Sequence, residues 1–327
     1  MLQKCFINAS KVPQMGCTSE KKAGKNSMLT KADQYLVNDI HNILDNGYPD
    51  ENPRPKYADG TPAHTISVNH VTRRYDLSKG EFPICTLRHQ AWKTGIREIF
   101  TIYRNPTNVL SEMREQGVTW WDPWDIGDGT IGQRYGATVR RYDLIHRLIE
   151  DIRKDPYGRR KIVDLWQEPD LRETPGLAPC AFLTIWNVRR EYLDMCLIQR
   201  SGDMLTASGA GGINEIQYAA LLMMVAKATG KEPGVFTHFV ANEQIYDRHI
   251  DNAREMLRRA AERAEAESIG SETETAGGGQ NEKQDEEVPN LILHSEPGCA
   301  FEDITLDDFE MVNYSPMKPQ LKFELGI

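Results

Sequence analysis

Residues 213–229 form the most constraining stretch of the chain, a strongly apolar helical segment whose nearly unbroken core, residues 218–226, spans nine positions. Nine residues cannot cross a bilayer, which takes about 20 in a helix, so no membrane association is expected. The stretch calls for a folded body around it, and 327 residues suffice to bury a sizeable core. With 39% hydrophobic and 27% charged residues the chain has the profile of a soluble globular protein, which excludes fibrous, collagen-like and wholly disordered classes.

Around that segment, helical and strand-like patterns mix. Residues 30–45 have helical spacing, with Leu36, Ile40, Ile43 and Leu44 on one face and Asn46-Gly47 as a stop. Residues 60–75 (GTPAHTISVNHVTRRY) are turn-rich and then β-like, and residues 92–103 and 142–153 are helical. Strand-like runs follow at 161–166, 182–188 and 192–199, the last two flanking Arg189-Arg190-Glu191 as in a hairpin. Residues 236–246 and 320–325 are expected to close the sheet. There is no regular βαβα rhythm and no internal repeat, so the pattern predicts an α+β fold, a single domain with a large mixed β-sheet flanked by helices.

Two segments stand outside this body. Residues 1–27 lack periodicity and are expected to be a loosely ordered extension. Between Glu262 and Glu287 there are nine acids and two bases, a balance of −7 out of the chain's −9. The acidity therefore belongs to one stretch, and the rest is near neutral. Without aromatics and with a Gly triplet, residues 263–287 are expected to be a disordered acidic insertion in a catalytic domain spanning 28–327. The six cysteines, at 5, 17, 85, 180, 196 and 299, show no metal spacing. No metal is expected, and a reducing compartment, the cytoplasm, is.

Five segments concentrate reactive groups. In Leu177-Ala178-Pro179-Cys180-Ala181, proline fixes the approach to a cysteine at the start of a β-like run. Cys180 is either a buried structural thiol or a nucleophile whose pKa nearby arginines lower. Gln199-Arg200-Ser201-Gly202-Asp203 follows a strand and suits a phosphate, through a bidentate guanidinium and a hydroxyl. Tyr157-Gly158-Arg159-Arg160-Lys161 offers a second anion contact or a solvated cationic face. Trp120-Trp121-Asp122-Pro123-Trp124 places three indoles in five residues, a stacking wall for a planar ligand. Glu98, beside Ile96, Ile99 and Phe100, either borders the core or is a proton-transfer group with a raised pKa.

Taken in order, these segments resemble the thymidylate synthase family. The likeness runs over about residues 30–260 and 289–327 and includes GTPAHTISV, WWDPW, DGTIGQRYG, DPYGRRKIVDLW, LAPC, QRSGD, IQY, IYDRHIDN and ITLDDFEMVNYSPMKPQLKFELGI. It implies a homodimer through the sheet face, dUMP as substrate and 5,10-methylene-tetrahydrofolate as co-substrate, with no direct nucleic-acid contact. By the same resemblance Cys180 adds to C6 of the nucleotide, and Arg200 and Ser201 hold its phosphate. Arg159 and Arg160 reach across from the other subunit, and Arg54 or Lys56 supplies a further phosphate contact. Asn214 reads N3 and O4 of uracil, where cytosine-selective relatives carry aspartate. Tyr246 touches the ribose, Glu98 organises protons at O4 and the folate, and Tyr135 helps remove the C5 proton. Trp121, Trp124 and Asp203 face the pterin.

The departures bear on the product. Where synthases have a compact Leu-Gly-x-Pro-Phe-Asn, this chain has LTASGAGGIN at 205–214, three residues longer and rich in glycine. The family's Gly-Asp-x-His-x-Tyr reads Ala241-Asn242-Glu243-Gln244-Ile245-Tyr246, and Ala181 follows the cysteine. Glycine in place of Pro and Phe predicts a flexible wall. A wall that admits water would turn the exocyclic methylene on C5 into a hydroxymethyl group instead of accepting hydride. The expected activity is therefore dUMP hydroxymethyltransferase, typical of viruses with modified DNA (in host cytoplasm if viral). Thymidylate synthesis with dTMP and dihydrofolate is the alternative, and a catalytically silent nucleotide-binding protein the second.

Overall fold

The computed structural model describes residues 29–274 and 288–327, and the expected N-terminal extension lies outside them. In chain order the elements are α1 (Lys31–Asn46), β1 (Tyr48–Pro49), β2 (Thr65–Asp76), α2 (Trp92–Ile99), α3 (Leu110–Glu115), α4 (Gly136–Tyr142) and α5 (Leu144–Lys154). These are followed by β3 (Ile162–Asp164), α6 (Glu168–Glu173), β4 (Ala181–Arg189), β5 (Tyr192–Gln199), β6 (Gly202–Asp203), α7 (Ile213–Ala228), β7 (Glu232–Tyr246), α8 (Ile250–Glu274), β8 (Asn290–Leu293) and β9 (Phe309–Val312). The main sheet runs β1-β2-β7-β5-β4-β3, with β6 beside β7. β5 and β6 lie parallel to β7 and the other pairs are antiparallel. The expected mixed sheet of an α+β domain is present.

Its centre is α7. Every residue from Glu215 to Ala226 is buried, because the helix connects parallel β5 to β7 and packs on both while α2 covers it from the other side. A helix apolar on all sides is stable only when enclosed in this way. Among the described residues no helix is long and apolar enough to cross a membrane. The N-terminus of α1 is fixed by a capping box between Thr30 and Asp33. The Asp33 carboxylate also accepts from the Thr86 N–H at 2.8 Å and hydroxyl at 2.5 Å, tying α1 to the loop before α2.

Four elements meet at Arg73, whose side chain is fully enclosed. Its Nε donates to Glu215 Oε1 at 2.7 Å, Nη1 to Asp39 Oδ2 and Glu243 Oε1 at 2.8 Å each, and Nη2 to the Ser208 carbonyl at 2.7 Å. Burial alone would raise the Glu215 carboxyl, but Arg73, His238 and the Gly211 N–H hold it at about 2. Burial wins at the other two acids, pushing Glu243 up to about 7 and Asp39 upward. The cluster thus carries fewer negative charges than its carboxyl count suggests.

Three expectations need correction. Residues 320–325 form no strand; Gln320 instead bonds to the loop at His89, and Asn252 of α8 donates to the Lys322 carbonyl at 2.7 Å. The helix expected at 142–153 is broken at Asp143, where φ is +50°. The acidic segment expected to be disordered from 263 continues α8 to Glu274; the remainder, 275–287, lies outside the described residues.

Because Leu222 is fully buried at the centre of the core, Leu222→Ala should cost about 2–5 kcal/mol of unfolding free energy. Denaturant titration of both proteins checks this.

Candidate active site

Cys180 stands at the mouth of β4, directly after buried Pro179. The β4–β5 pairing continues one step beyond the strands, with the Arg200 N–H donating to the Cys180 carbonyl at 2.9 Å. This register sets the Arg200 guanidinium beside the thiol, Nη2 to Sγ 3.5 Å, braced by the carbonyls of Pro179 and Ala178 at 2.9 and 2.8 Å. The cysteine and arginine singled out in the sequence are therefore brought together. The expected lowering of the thiol pKa is not met. Burial pushes Cys180 up, and Arg200 and Arg54 offset only part of that. Of the two cations left open before β2, Arg54 is the one whose charge reaches Cys180 and Tyr246. The main chain of Lys56 pairs with Ile327, at 2.8 and 2.9 Å, and its side chain is exposed.

Tyr135 closes the other side. Its hydroxyl accepts from the Cys180 N–H at 3.2 Å, and its ring lies 4.9 Å from that of Trp121. Tyr135 has φ +47°, a region costly for a residue with a side chain. The preceding Arg134 clamps it there by donating to the carbonyls of Gln133, Asp170, Leu171 and Thr174. Burial holds the Tyr135 phenol neutral, far above its ordinary range.

Glu98 is buried on α2 against α7. Its Oε1 accepts from Trp121 Nε1 at 2.8 Å and its Oε2 from Gln217 Nε2 at 2.5 Å. Burial raises its pKa to about 7 although Trp121, Gln217 and Trp120 all favour the carboxylate, so the group titrates where a general acid and base is useful. Gln217 in turn accepts from Asn214 Nδ2 at 3.0 Å, and Asn214 Oδ1 accepts from Gln199 Nε2 at 3.2 Å. Trp121, Glu98, Gln217, Asn214 and Gln199 thus form one hydrogen-bonded wall. Of the three indoles, Trp121 is buried within it and Trp124 meets Trp121 edge-on at 5.6 Å.

The glycine-rich turn differs from its sequence expectation. Gly211 has φ +65°, and a Cβ there would strike the Cys85 N–H; a Cβ on Gly209 would strike the Met204 carbonyl, and one on Gly212 would lie 2.8 Å from the Ala207 carbonyl. Leu205 and Ala210 are buried in the core beneath. These glycines allow close packing, not flexibility.

Asp203 caps this turn, its Oδ2 accepting from the Thr206 hydroxyl at 2.5 Å and its Oδ1 3.9 Å from buried His249 Nδ1. Tyr246 sits edge-on to His249 at 5.5 Å. Ser201 follows Arg200, half-buried, at the same strand end. Arg159 and Arg160 are not brought to this wall. They are exposed and line a separate cavity of about 530 Å³ with Asp151, Asp155, Tyr157 and Lys161. Sequence reasoning missed Gln217 and gave Gln199 no role. The available signal was an amide three residues after Asn214 inside an otherwise apolar helix. Among the described residues no group of three or more His, Cys, Asp or Glu is placed to hold a metal ion.

Comparison with known proteins gives a consistent result. The family model described as thymidylate synthase matches residues 33–327. A thymidylate synthase of Lactococcus lactis subsp. cremoris is 47% identical over 305 residues, covering 91% of this chain and 100% of the relative. One of Streptococcus pneumoniae is 42% identical with the same coverage. The solved structure of the thermostable thymidylate synthase A from Bacillus subtilis superposes with a TM-score of 0.75 at 32% identity, covering 90% of this chain and 99% of that one.

A thiol raised by burial stays protonated at neutral pH, so alkylation of Cys180 by iodoacetamide should keep accelerating through pH 8.5. Arg200→Gln removes a charge that lowers the pKa, and should slow alkylation at pH 7.5 by about three- to tenfold. Peptide-resolved mass spectrometry reads Cys180 separately from the other thiols.

Proposed function

The chain belongs to the thymidylate synthase family, and from that premise we propose that it makes dTMP and dihydrofolate from dUMP and 5,10-methylene-tetrahydrofolate. Members of the family are folate-dependent one-carbon transferases, and methylene-tetrahydrofolate is the co-substrate. The observation that carries the reading is the continuous wall from Cys180 and Tyr135 through Trp121 and Glu98 to Gln217 and Asn214.

In this reading Cys180 adds to C6 of the uracil, with Arg200 and Arg54 stabilising the thiolate from which it attacks. Arg200 and Ser201, at one strand end, hold the 5′-phosphate, and Tyr246 touches the ribose. Asn214 keeps a lone pair on Oδ1 for N3–H and a hydrogen on Nδ2 for O4. Glu98, poised near neutrality, moves protons at O4, and Tyr135, held neutral, assists loss of the C5 proton. The folate supplies a methylene carbon and a hydride. Trp121 and Trp124 offer it aromatic surface, and Asp203, with Oδ1 directed toward His249, offers a polar contact. A second copy of the chain supplies Arg159 and Arg160, which are exposed and clear of their own chain's wall. Residues 28–327 then act as one catalytic unit.

Water capture to give 5-hydroxymethyl-dUMP uses the same residues up to the last step. Its motive was a loosened wall at 205–214. Close packing at Gly209, Gly211 and Gly212 supports a wall that excludes water and so favours hydride transfer.

Mass spectrometry of the nucleotide formed from dUMP and methylene-tetrahydrofolate, with dihydrofolate read in the same sample, tests the proposal. The expected result is dTMP with matching dihydrofolate. A hydroxymethylated nucleotide without dihydrofolate overturns it in favour of water capture. Cys180→Ser should lose several orders of magnitude in turnover while still binding dUMP, which a silent binding protein would not distinguish. Asn214→Asp should move preference toward dCMP; unchanged selectivity would remove Asn214 from base reading.

A further inference from the structure

Gln217 is enclosed between α2 and α7, one turn along from Asn214 and opposite Glu98. Gly95, one turn before Glu98, packs against the same side chain, where a Cβ would make ordinary contact with Gln217 Cγ at 3.4 Å. The two ends of the Gln217 amide do different work. Nε2 donates to Glu98 Oε2 at 2.5 Å, and Oε1 accepts from Asn214 Nδ2 at 3.0 Å.

A carboxylate can only accept, so it fixes which end of the Gln217 amide faces it. The oxygen is then left for Asn214, whose nitrogen must turn toward it. On the far side, Gln199 Nε2 faces the Ser201 carbonyl and the Ser208 hydroxyl at 3.0 Å each and Asn214 Oδ1 at 3.2 Å, and an amide nitrogen can only donate, so it meets the oxygen end of Asn214. Asn214 is pinned from both sides. Turning its amide over would set nitrogen against nitrogen and oxygen against oxygen, leaving buried polar groups unpaired.

We propose that Gln217 is a positioning and specificity-determining residue, which couples the charge of Glu98 to the amide orientation by which Asn214 accepts uracil and rejects cytosine. The inference rests on the proposed base-reading role of Asn214 for its second half only; the link from Gln217 to Glu98 stands on geometry alone. Uracil offers a donor at N3 and an acceptor at O4, matching the pinned amide. Cytosine offers the reverse and needs the amide turned over, which Gln217 and Gln199 oppose. The titratable groups whose charge is coupled to Glu98 are Tyr135 and Tyr218, both held neutral by burial, so the Glu98 inflection is not mixed with theirs.

The test uses the full chain carrying Gln217→Met, similar in length but without the amide, and Gln217→Glu as a second variant of the same shape. Trp121, bonded to Glu98, reports the carboxyl: tryptophan fluorescence is titrated with pH in each protein, with Trp121→Phe identifying the signal. Losing the donated N–H should move the inflection near 7 upward by about one pH unit in Gln217→Met, and at least as far in Gln217→Glu. An unmoved inflection in folded variants overturns the link to Glu98. In parallel, kcat/KM for dUMP and dCMP is measured. The ratio favouring dUMP should fall at least tenfold, whereas a purely structural role would lower the melting temperature and leave the ratio unchanged, overturning the specificity half. Should the wild-type protein fail to turn over dUMP, the proposed function and the specificity half fall together, and the fluorescence titration still decides the link to Glu98.

Discussion

The buried Arg73 guanidinium is the tie on which the rest of the arrangement depends. Four of its N–H groups reach α1 through Asp39, β7 through Glu243, α7 through Glu215 and the glycine turn through the Ser208 carbonyl. Removing one partner from such a cluster leaves an uncompensated buried charge, commonly a loss of 3–5 kcal/mol. Glu215 extends the tie on its other oxygen, accepting from the Tyr75 hydroxyl and the Gly211 N–H at 2.7 Å each. The turn that forms one edge of the site is thus held by charge from below as well as by close glycine packing.

From this cluster the polar contacts continue into the site. Glu215 Oε1 lies 3.0 Å from His238 Nδ1, and His238 Nε2 lies 3.0 Å from Gln199 Oε1. From Gln199 to Glu98 every hydrogen bond donates in the same sense, through Asn214 and Gln217. A chain of amides with a common sense cannot reverse one member without breaking its neighbours. A base-reading residue gains orientation in this way without a charge of its own.

Much of this was legible in the sequence, for identifiable reasons. The apolar segment that became α7, the hairpin of β4 and β5, and the cysteine and arginine at their ends were readable because local periodicity and turn chemistry set them. The glycine turn was misread because composition records what a glycine permits and not what surrounds it; only the Cys85 N–H and Met204 carbonyl explain why Gly211 and Gly209 cannot carry a side chain. Arg73 looked like one of two cations on a strand, and nothing local distinguishes it from exposed Arg74. Gln217 was overlooked because its partner Glu98 lies 119 positions away. Residues 320–325 have a strand-like pattern but lie against α8 and the loop at His89, where tertiary contacts override the local preference.

The pairing of β2 with β7 carries a consequence for how the molecule is assembled. Arg73 and Glu243 are separated by 170 positions, and the same two strands bring Thr65 opposite Tyr246. Closing so long a loop adds little to the equilibrium cost, which grows only with the logarithm of length, but it slows the search for the native pairing. Until β7 docks, β5 and β2 each expose an unpaired edge, and the Arg73 guanidinium lacks the Glu243 carboxylate that it meets only in the finished sheet. The cluster beneath the site is thus completed by one of the pairings most distant in sequence, so its integrity depends on the whole sheet and not on any local segment.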